Sequence, residues 1–402
     1  SYGSGNVTAG VSVGWPGQQD DDSRAALMRA WELGINHWDT ADVYGDGHSE
    51  QIISSMWDKI RRDDIFLATK VGWARGPHDY FYHTGQMRGQ MEQSLRNLQT
   101  ECIDLIYFHH CNFGKDEEHF DDALEVMARF REEGKTRFIG LSDWDSTKIL
   151  KFIDRVNPDV VQPYRNVMND MYAFSGLKAW IDEHNAGVCF FSPLKHGLLT
   201  GKYTEPATFP EGDYRRNVED FNDPEIIAKM QENRRKLEER FKEHPQPVMR
   251  GLIDTLLADA PTGCVLLGQR NVQQVEAAAV LGDIMEEHDA DWVSEFLGDG
   301  TEGGSEVTVT DAGNVNASGN CLDDGTSILS CTISTGGGYT GGGSGLGNTR
   351  GIFDSLVSAL ICALMITLLT FQIIINKVRA RIELVLPHEW VKAQPSGQDN
   401  IN

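Results

Sequence analysis

The sequence predicts an α/β fold: a (β/α)8 TIM barrel with an incomplete first strand, followed by a Gly-rich linker and one hydrophobic helix. Two observations predict the barrel. From residue 20 to about 283, helix-like runs alternate with short apolar runs, the pattern of a parallel sheet covered by helices. The clear apolar runs number seven and are evenly spaced, and a further strand fragment opens the chain at YGSGN. Eight strands close a barrel, and the even spacing favours that reading over an open doubly wound sheet. A third observation sets the boundary: after residue 300 the periodic pattern stops and Gly, Ser, Thr and Asn take over.

In chain order, the helix-like runs lie at 20–33, 49–58, 84–99, 117–133, 146–155, 173–184, 223–242 and 271–282. Between them stand the strand-like runs GINHW, DIFLATK, IDLIYFH, TRFIGLS, DVVQP, GVCFF and GCVLLG. The chain opens on polar SYGSGN without Met, so it is expected to begin inside the first strand, leaving an exposed edge. The barrel is expected over 1–297, a Gly/Ser/Thr-rich linker over 298–351, the hydrophobic helix over 352–376 and a polar tail over 377–402. Within that helix, residues 355–375 form a 21-residue run without charge, long enough to cross a bilayer. Lys377, Arg379 and Arg381 follow it, and the positive-inside rule places them on the cytosolic side. No signal peptide is recognisable before the barrel. The expectation is a cytoplasmic barrel tail-anchored to a membrane through residues 355–375, with the topology in tension with that basic cluster.

Composition narrows the partners. The formal net charge is −24, and an acidic surface repels phosphate backbones, which excludes nucleic acid. Cys102, Cys111, Cys189 and Cys264 are scattered without CxxC spacing, which fits buried thiols in a reducing compartment. His109-His110-Cys111 resembles a metal cluster, but neighbours on a strand point to opposite faces and cannot easily converge. No metal ligands are expected. GSGLGN at 343–348 lies between linker and apolar run, not in a strand-to-helix turn, so it is no phosphate loop.

In a βα barrel, reactive groups sit at the C-terminal ends of strands. GINHW ends at Asp39, IFLATK at Lys70 and DLIYFH at His109, with Tyr44 on the loop leaving the first of these. Taken singly, each has an ordinary reading as a cap, a solvated charge or a packed core residue. On consecutive strands they converge on one mouth. A phenol has a pKa near 10. A neighbouring ammonium favours its ionised form, an Asp holds that ammonium in place, and a His donates a hydrogen bond to a carbonyl oxygen. The set makes a proton-donating pocket for a carbonyl receiving a hydride. Trp73 and Trp144 follow strands and stand as candidates to line a substrate pocket.

Over roughly residues 1–297 the chain resembles the aldo-keto reductase superfamily, through DTADVYGDGHSE, FLATKVG, IDLIYFHH, IGLSDW, FFSPLKHGLLTGKY and VLLGQRNVQQVE in that order. The resemblance implies a catalytic tetrad of Asp39, Tyr44, Lys70 and His109. It implies an NADPH cofactor, with NADH as the other candidate, bound across the barrel mouth, and a small-molecule carbonyl substrate. Ser142, Asp143 and Gln162 then match the carboxamide site, and Phe191 the ring that stacks on nicotinamide. Ser192, Leu194, Gly197, Leu198 and Gly201 match the loop over the pyrophosphate. Gly268 and Arg270 match the 2′-phosphate turn, with Gln274 beside them. The sequence departs where Asp143 stands for the family's Asn and Ala277-Ala278 for its Glu-Asn. The competing reading is a cofactor-binding regulatory module similar to potassium-channel beta subunits, with little turnover.

Overall fold

The computed structural model describes residues 6–8, 11–13, 17–74, 76–211, 213–260, 263–298, 308–309 and 315–316. The hydrophobic helix expected over 352–376, the polar tail and most of the linker lie outside the described residues. Among the described residues, no helix is long and apolar enough to cross a membrane.

Strands β1 (Asn6–Thr8) and β2 (Val11–Val13) pair antiparallel with each other. The central sheet is β3 (His37–Asp39), β4 (Phe66–Val71), β5 (Ile103–Phe108), β6 (Thr136–Asp143), β7 (Val160–Pro163), β8 (Gly187–Phe190) and β9 (Cys264–Val265), all parallel and in sequence order. A separate pair, β10 (Thr308–Val309) with β11 (Val315–Asn316), lies in the expected linker. The helices are α1 (Asp20–Glu32), α2 (His48–Ser54), α3 (Thr84–Leu98), α4 (Phe120–Glu132), α5 (Ser146–Val156), α6 (Met171–Phe174), α7 (Leu177–His184), α8 (Pro224–Arg240), α9 (Pro247–Ala258), α10 (Val272–Ala278) and α11 (Glu287–Leu297).

Local chemistry sets many of these boundaries. Asp145 caps α5 by accepting from Thr147 N at 2.8 Å, and Asn157 ends it in the left-handed region. Asp223 caps α8, with Pro224 in the first turn, where its missing N–H is not needed. Every residue of β5 is buried, as a strand flanked on both faces requires. The sheet is curled. Gln162 on β7 donates from Nε2 to Asp39 Oδ2 on β3 at 3.0 Å, across the interior. His37 Nδ1 on edge strand β3 lies 3.7 Å from Cys264 Sγ on the other edge, β9. This is a curled parallel sheet consistent with a (β/α)8 barrel.

Residues 2–5 of the YGSGN fragment lie outside the described residues; after them NVT and VSV, two residues apart, pair as a local hairpin. Three features differ from the sequence expectation. The run 173–184 breaks into α6 and α7 at Gly176, whose φ of +93° ends the first turn. Helix α9 was not expected, because PVMRGLIDTLLA is apolar around most of its circumference and shows no clear stripe. Helix α11 was hidden in an acid-rich stretch. Buried Arg165, just past β7, explains what α9 does. Its Nη1 donates to Leu256 O at 3.0 Å and Asp259 Oδ1 at 2.7 Å, and its Nη2 to Asp170 Oδ2 at 2.8 Å. The end of β7 is thereby tied to the end of α9.

Two glycines give stability tests of opposite sign. A Cβ at Gly140 on β6 would stand 2.2 Å from Tyr107 Cδ1, because the buried Tyr107 ring lies over its register partner. Gly140→Ala should therefore lower stability by about 1–3 kcal/mol. Gly89, exposed in the middle of α3, has nothing within 4 Å of the same position. Gly89→Ala should raise stability by about 0.4–1 kcal/mol through the unfolded chain. Denaturant midpoints at constant slope measure both; equal shifts of one sign would contradict the packing described.

Candidate active site

The parallel register brings three strand ends together. Asp39 ends β3 opposite Ala68, Lys70 lies two residues further along β4, and His109 follows β5, its N–H donating to Val71 O at 2.9 Å. Lys70 Nζ makes a very short hydrogen bond to Asp39 Oδ1 and donates to Thr40 O at 2.7 Å. Asp39 Oδ2 accepts from Gln162. The ammonium is buried, its charge compensated by one carboxylate and one carbonyl. Tyr44 closes the group from the loop after β3. Its ring centroid is 5.6 Å from Lys70 Nζ and 5.8 Å from the His109 ring, which it meets edge to face. All four expected residues therefore converge.

The electrostatics assign protonation states. Burial pushes the Lys70 ammonium down, but opposing causes led by the charge of Asp39 outweigh it, and the pKa ends above its ordinary value. Burial raises the Tyr44 phenol, and Lys70 only partly pulls it back. The ammonium lowers the phenol as expected, but desolvation outweighs it, and Tyr44 holds its proton at neutral pH. His109 is pushed well below its ordinary value, by burial first and then by Lys70. It is a neutral imidazole whose buried Nδ1 has no hydrogen-bond partner among the described residues.

Two acids that the sequence reading left without a role hold the Tyr44 loop. Glu50, fully buried, accepts from Thr69 Oγ1 at 2.8 Å and Asn97 Nδ2 at 2.9 Å. Asp42 accepts from Gln90 Nε2 at 3.2 Å, and its pKa is raised to about 7 by burial and then by Glu50. Glu50 closes the DTADVYGDGHSE motif, and its place in that motif was the available signal. Trp73 packs 5.1 Å from the His109 ring, and Trp144, 38% exposed, meets Phe191 at 4.8 Å.

The remaining expected residues divide. Ser142 and Gln162 are register partners, and the Ser142 hydroxyl donates to Gln162 O at 2.9 Å. Asp143 stands apart: its two oxygens accept from Cys111 N at 2.7 Å and Asp145 N at 2.9 Å, so its carboxylate shapes the end of β6. Phe191 meets Trp144 and Tyr164 only at steep angles, 87° and 73°, and neither stacks on it. In the following loop, Ser192, Lys195, His196, Gly197 and Gly201 all have positive φ. The N–H groups of Lys195, Gly197, Leu198 and Gly201 donate within the loop, to Ser192 O, Leu194 O, Lys195 O and Leu198 O. Leu194 is half-buried and Leu198 buried beneath this loop. Gly201 is obligatory, since a Cβ there would stand 2.4 Å from Met230 O. Gly268 is exposed with nothing near it. Arg270 is clamped: its N–H donates to Gln274 Oε1 at 2.7 Å, its Nε to Gln18 Oε1 at 2.9 Å, and Gln18 Nε2 to Arg270 O at 2.8 Å. Gln18 carried no signal in the sequence, being 252 residues away. His109, His110 and Cys111 face different partners: His110 Nε2 lies 2.8 Å from Gly72 O and Cys111 Sγ 3.7 Å from Ser142 O.

The chain is similar to known proteins. The chain is 31% identical over 217 residues to aldo-keto reductase yakc [NADP(+)] of Schizosaccharomyces pombe, covering 50% of this chain and 60% of that protein. It is 30% identical over 272 residues to aldo-keto reductase str7 of Strobilurus tenacellus, covering 64% and 76%. The structure of a glycerol dehydrogenase from Gluconobacter oxydans matches with a TM-score of 0.60 at 26% identity, over 72% of this chain and 89% of that one. The family model described as Aldo/keto reductase family matches residues 7–291, most of the sequence, and the chain belongs to that family.

Proposed function

We propose that the protein reduces small aldehydes or ketones to alcohols with NADPH, Tyr44 supplying the proton. The observation that carries this reading is the buried Lys70 ammonium, fixed by Asp39 beside a protonated phenol and a neutral imidazole. The residues suit a dinucleotide. The left-handed turns of 192–201 would fold the loop over a pyrophosphate, and the guanidinium of Arg270, oriented through Nε by Gln18, retains Nη groups for a phosphate. Ser142 and Gln162 would hold the carboxamide, and the uncovered Phe191 ring would take the nicotinamide. The name of the fission-yeast relative specifies NADP(+).

A bound nicotinamide supplies hydride. The protein's own work is on the oxygen. Neutral His109 donates a hydrogen bond to the carbonyl and orients it. As negative charge develops there, the Tyr44 hydroxyl gives up its proton, and Lys70 stabilises the phenolate left behind. Because burial keeps Tyr44 protonated, the acid is in its working state at neutral pH.

Tyr44→Phe should reduce carbonyl turnover by roughly 10²–10⁴-fold while leaving dinucleotide binding, followed by fluorescence quenching, unchanged. Turnover near the parent level would remove Tyr44 from its role. A parent protein that binds dinucleotide but turns over no aldehyde would make the chain a binding module. Arg270→Ala should weaken NADPH binding by tenfold or more, the worth of a charge-assisted hydrogen bond of about 1.5–3 kcal/mol, and weaken NADH binding far less. Equal losses for both would show that Arg270 does not read the 2′-phosphate.

A further inference from the structure

We propose that His37, Cys189 and Cys264 form a site for one zinc-class divalent cation inside the curled sheet, joining its two edge strands. Among the described residues this is the only group of three His, Cys, Asp or Glu side chains whose ligand atoms all lie within 4.8 Å of one another. Cys264 Sγ is 2.8 Å from Cys189 Sγ and 3.7 Å from His37 Nδ1. None of the three has a part in the carbonyl chemistry above.

The donor set selects the ligand class. Two thiolates and an imidazole suit a soft or borderline cation and do not suit magnesium or calcium. The side chains come from rigid elements. Cys189 and Cys264 are register partners on β8 and β9, so both project to the same face, and His37 opens β3 at the opposite edge. His37 is oriented by the Phe66 ring, 5.1 Å away and edge-on, and its Nε2 is buried without a partner.

A disulfide between the two cysteines is the competing use of the pair. Their Sγ atoms, 2.8 Å apart, are beyond the ~2.05 Å of a disulfide bond. A disulfide also leaves His37 unexplained. A tetrahedral cation at ~2.3 Å from each sulfur needs the two sulfurs ~3.8 Å apart, so they must separate by roughly 1 Å. β9, only two residues long and partly exposed, has room to give that distance. Three protein ligands leave a fourth position for water. The cation would bind β3 to β8 and β9.

The test uses the full-length, untagged protein, reduced and freed of metal, with Zn2+ and Co2+ as probes. The expected result has three parts: uptake of one Zn2+ that raises the unfolding temperature, a thiolate-to-cobalt charge-transfer band with Co2+, and loss of both in Cys264→Ser and Cys189→Ser. Affinity should fall by roughly 100-fold or more in each, since even outer-shell partners are worth 10–100-fold. His37→Gln should weaken binding while keeping the cobalt–thiolate band, and Cys102→Ser, at a distant thiol, should change nothing. Should one serine variant fail to fold, the other and His37→Gln still decide. Absence of uptake by the reduced protein, or uptake unchanged in Cys189→Ser and Cys264→Ser, overturns the site. So does a Cys189–Cys264 disulfide that, once reduced, leaves thiols unable to bind either probe. Metal content and cobalt absorption do not depend on carbonyl turnover, so failure of the reductase reading would leave this result standing.

Discussion

An ammonium ion is enclosed at the centre of this barrel, and the surrounding structure is arranged to keep it there. Removing Lys70 from water costs several kcal/mol before any partner is counted. Asp39, Thr40 O and the Asp39–Gln162 bond offset that cost, and they do so only if β3, β4 and β7 hold their mutual positions. Breaking such a buried pair from one side leaves an uncompensated charge, which typically costs about 3–5 kcal/mol. The pair is thus a constraint on strand register as much as a chemical device. A one-residue slip of β4 would turn Lys70 to the other face and leave Asp39 alone inside.

The same enclosure sets every proton in the site. Low local polarity penalises charge, so the single positive charge that persists must suppress others near it. His109 is held neutral, and the next residue, His110, is lowered to about 3, by burial first and then by Lys148. Tyr44 feels both effects at once. Desolvation outweighs the attraction of Lys70, and the phenol stays a donor. The ammonium becomes decisive for the ionised phenol, because stabilising charge as it forms is worth more than stabilising charge already present. Asp42 belongs to the same field: with Glu50 beside it in a buried loop, it ionises near neutrality while its partner is tied down by Thr69 and Asn97.

Much of this was legible in the sequence, for a physical reason. Strand ends are marked by a change from apolar to polar residues, and in a parallel sheet consecutive ends are neighbours. Asp39, Lys70 and His109 could therefore be placed together before any coordinates. Interactions that depend on long-range closure left no local trace. Gln18 meets Arg270 across 252 residues, and His37 meets Cys264 across 227, with nothing in either neighbourhood to announce it. Helix α9 escaped because a helix buried on most sides loses the alternation that reveals one.

Asp143 shows how one position can be taken over by the fold. Two backbone N–H groups, of Cys111 and Asp145, converge on its side chain, and both need acceptors. A carboxylate supplies two acceptor oxygens; an Asn side chain supplies one and turns a donor towards the other N–H. Asp is therefore the better residue for joining the turn after β5 to the cap of α5, even though burial raises its pKa. What is given up is a donor beside Ser142 and Gln162. Under the reductase reading, recognition of a carboxamide then falls to those two alone. Gln162 is already bound to Asp39, which is itself held by Lys70. Cofactor orientation and the charge state of the proton donor are thereby linked through a single carboxylate. A change at Gln162 should disturb both, and a change at Asp143 should disturb the strand end before it disturbs either.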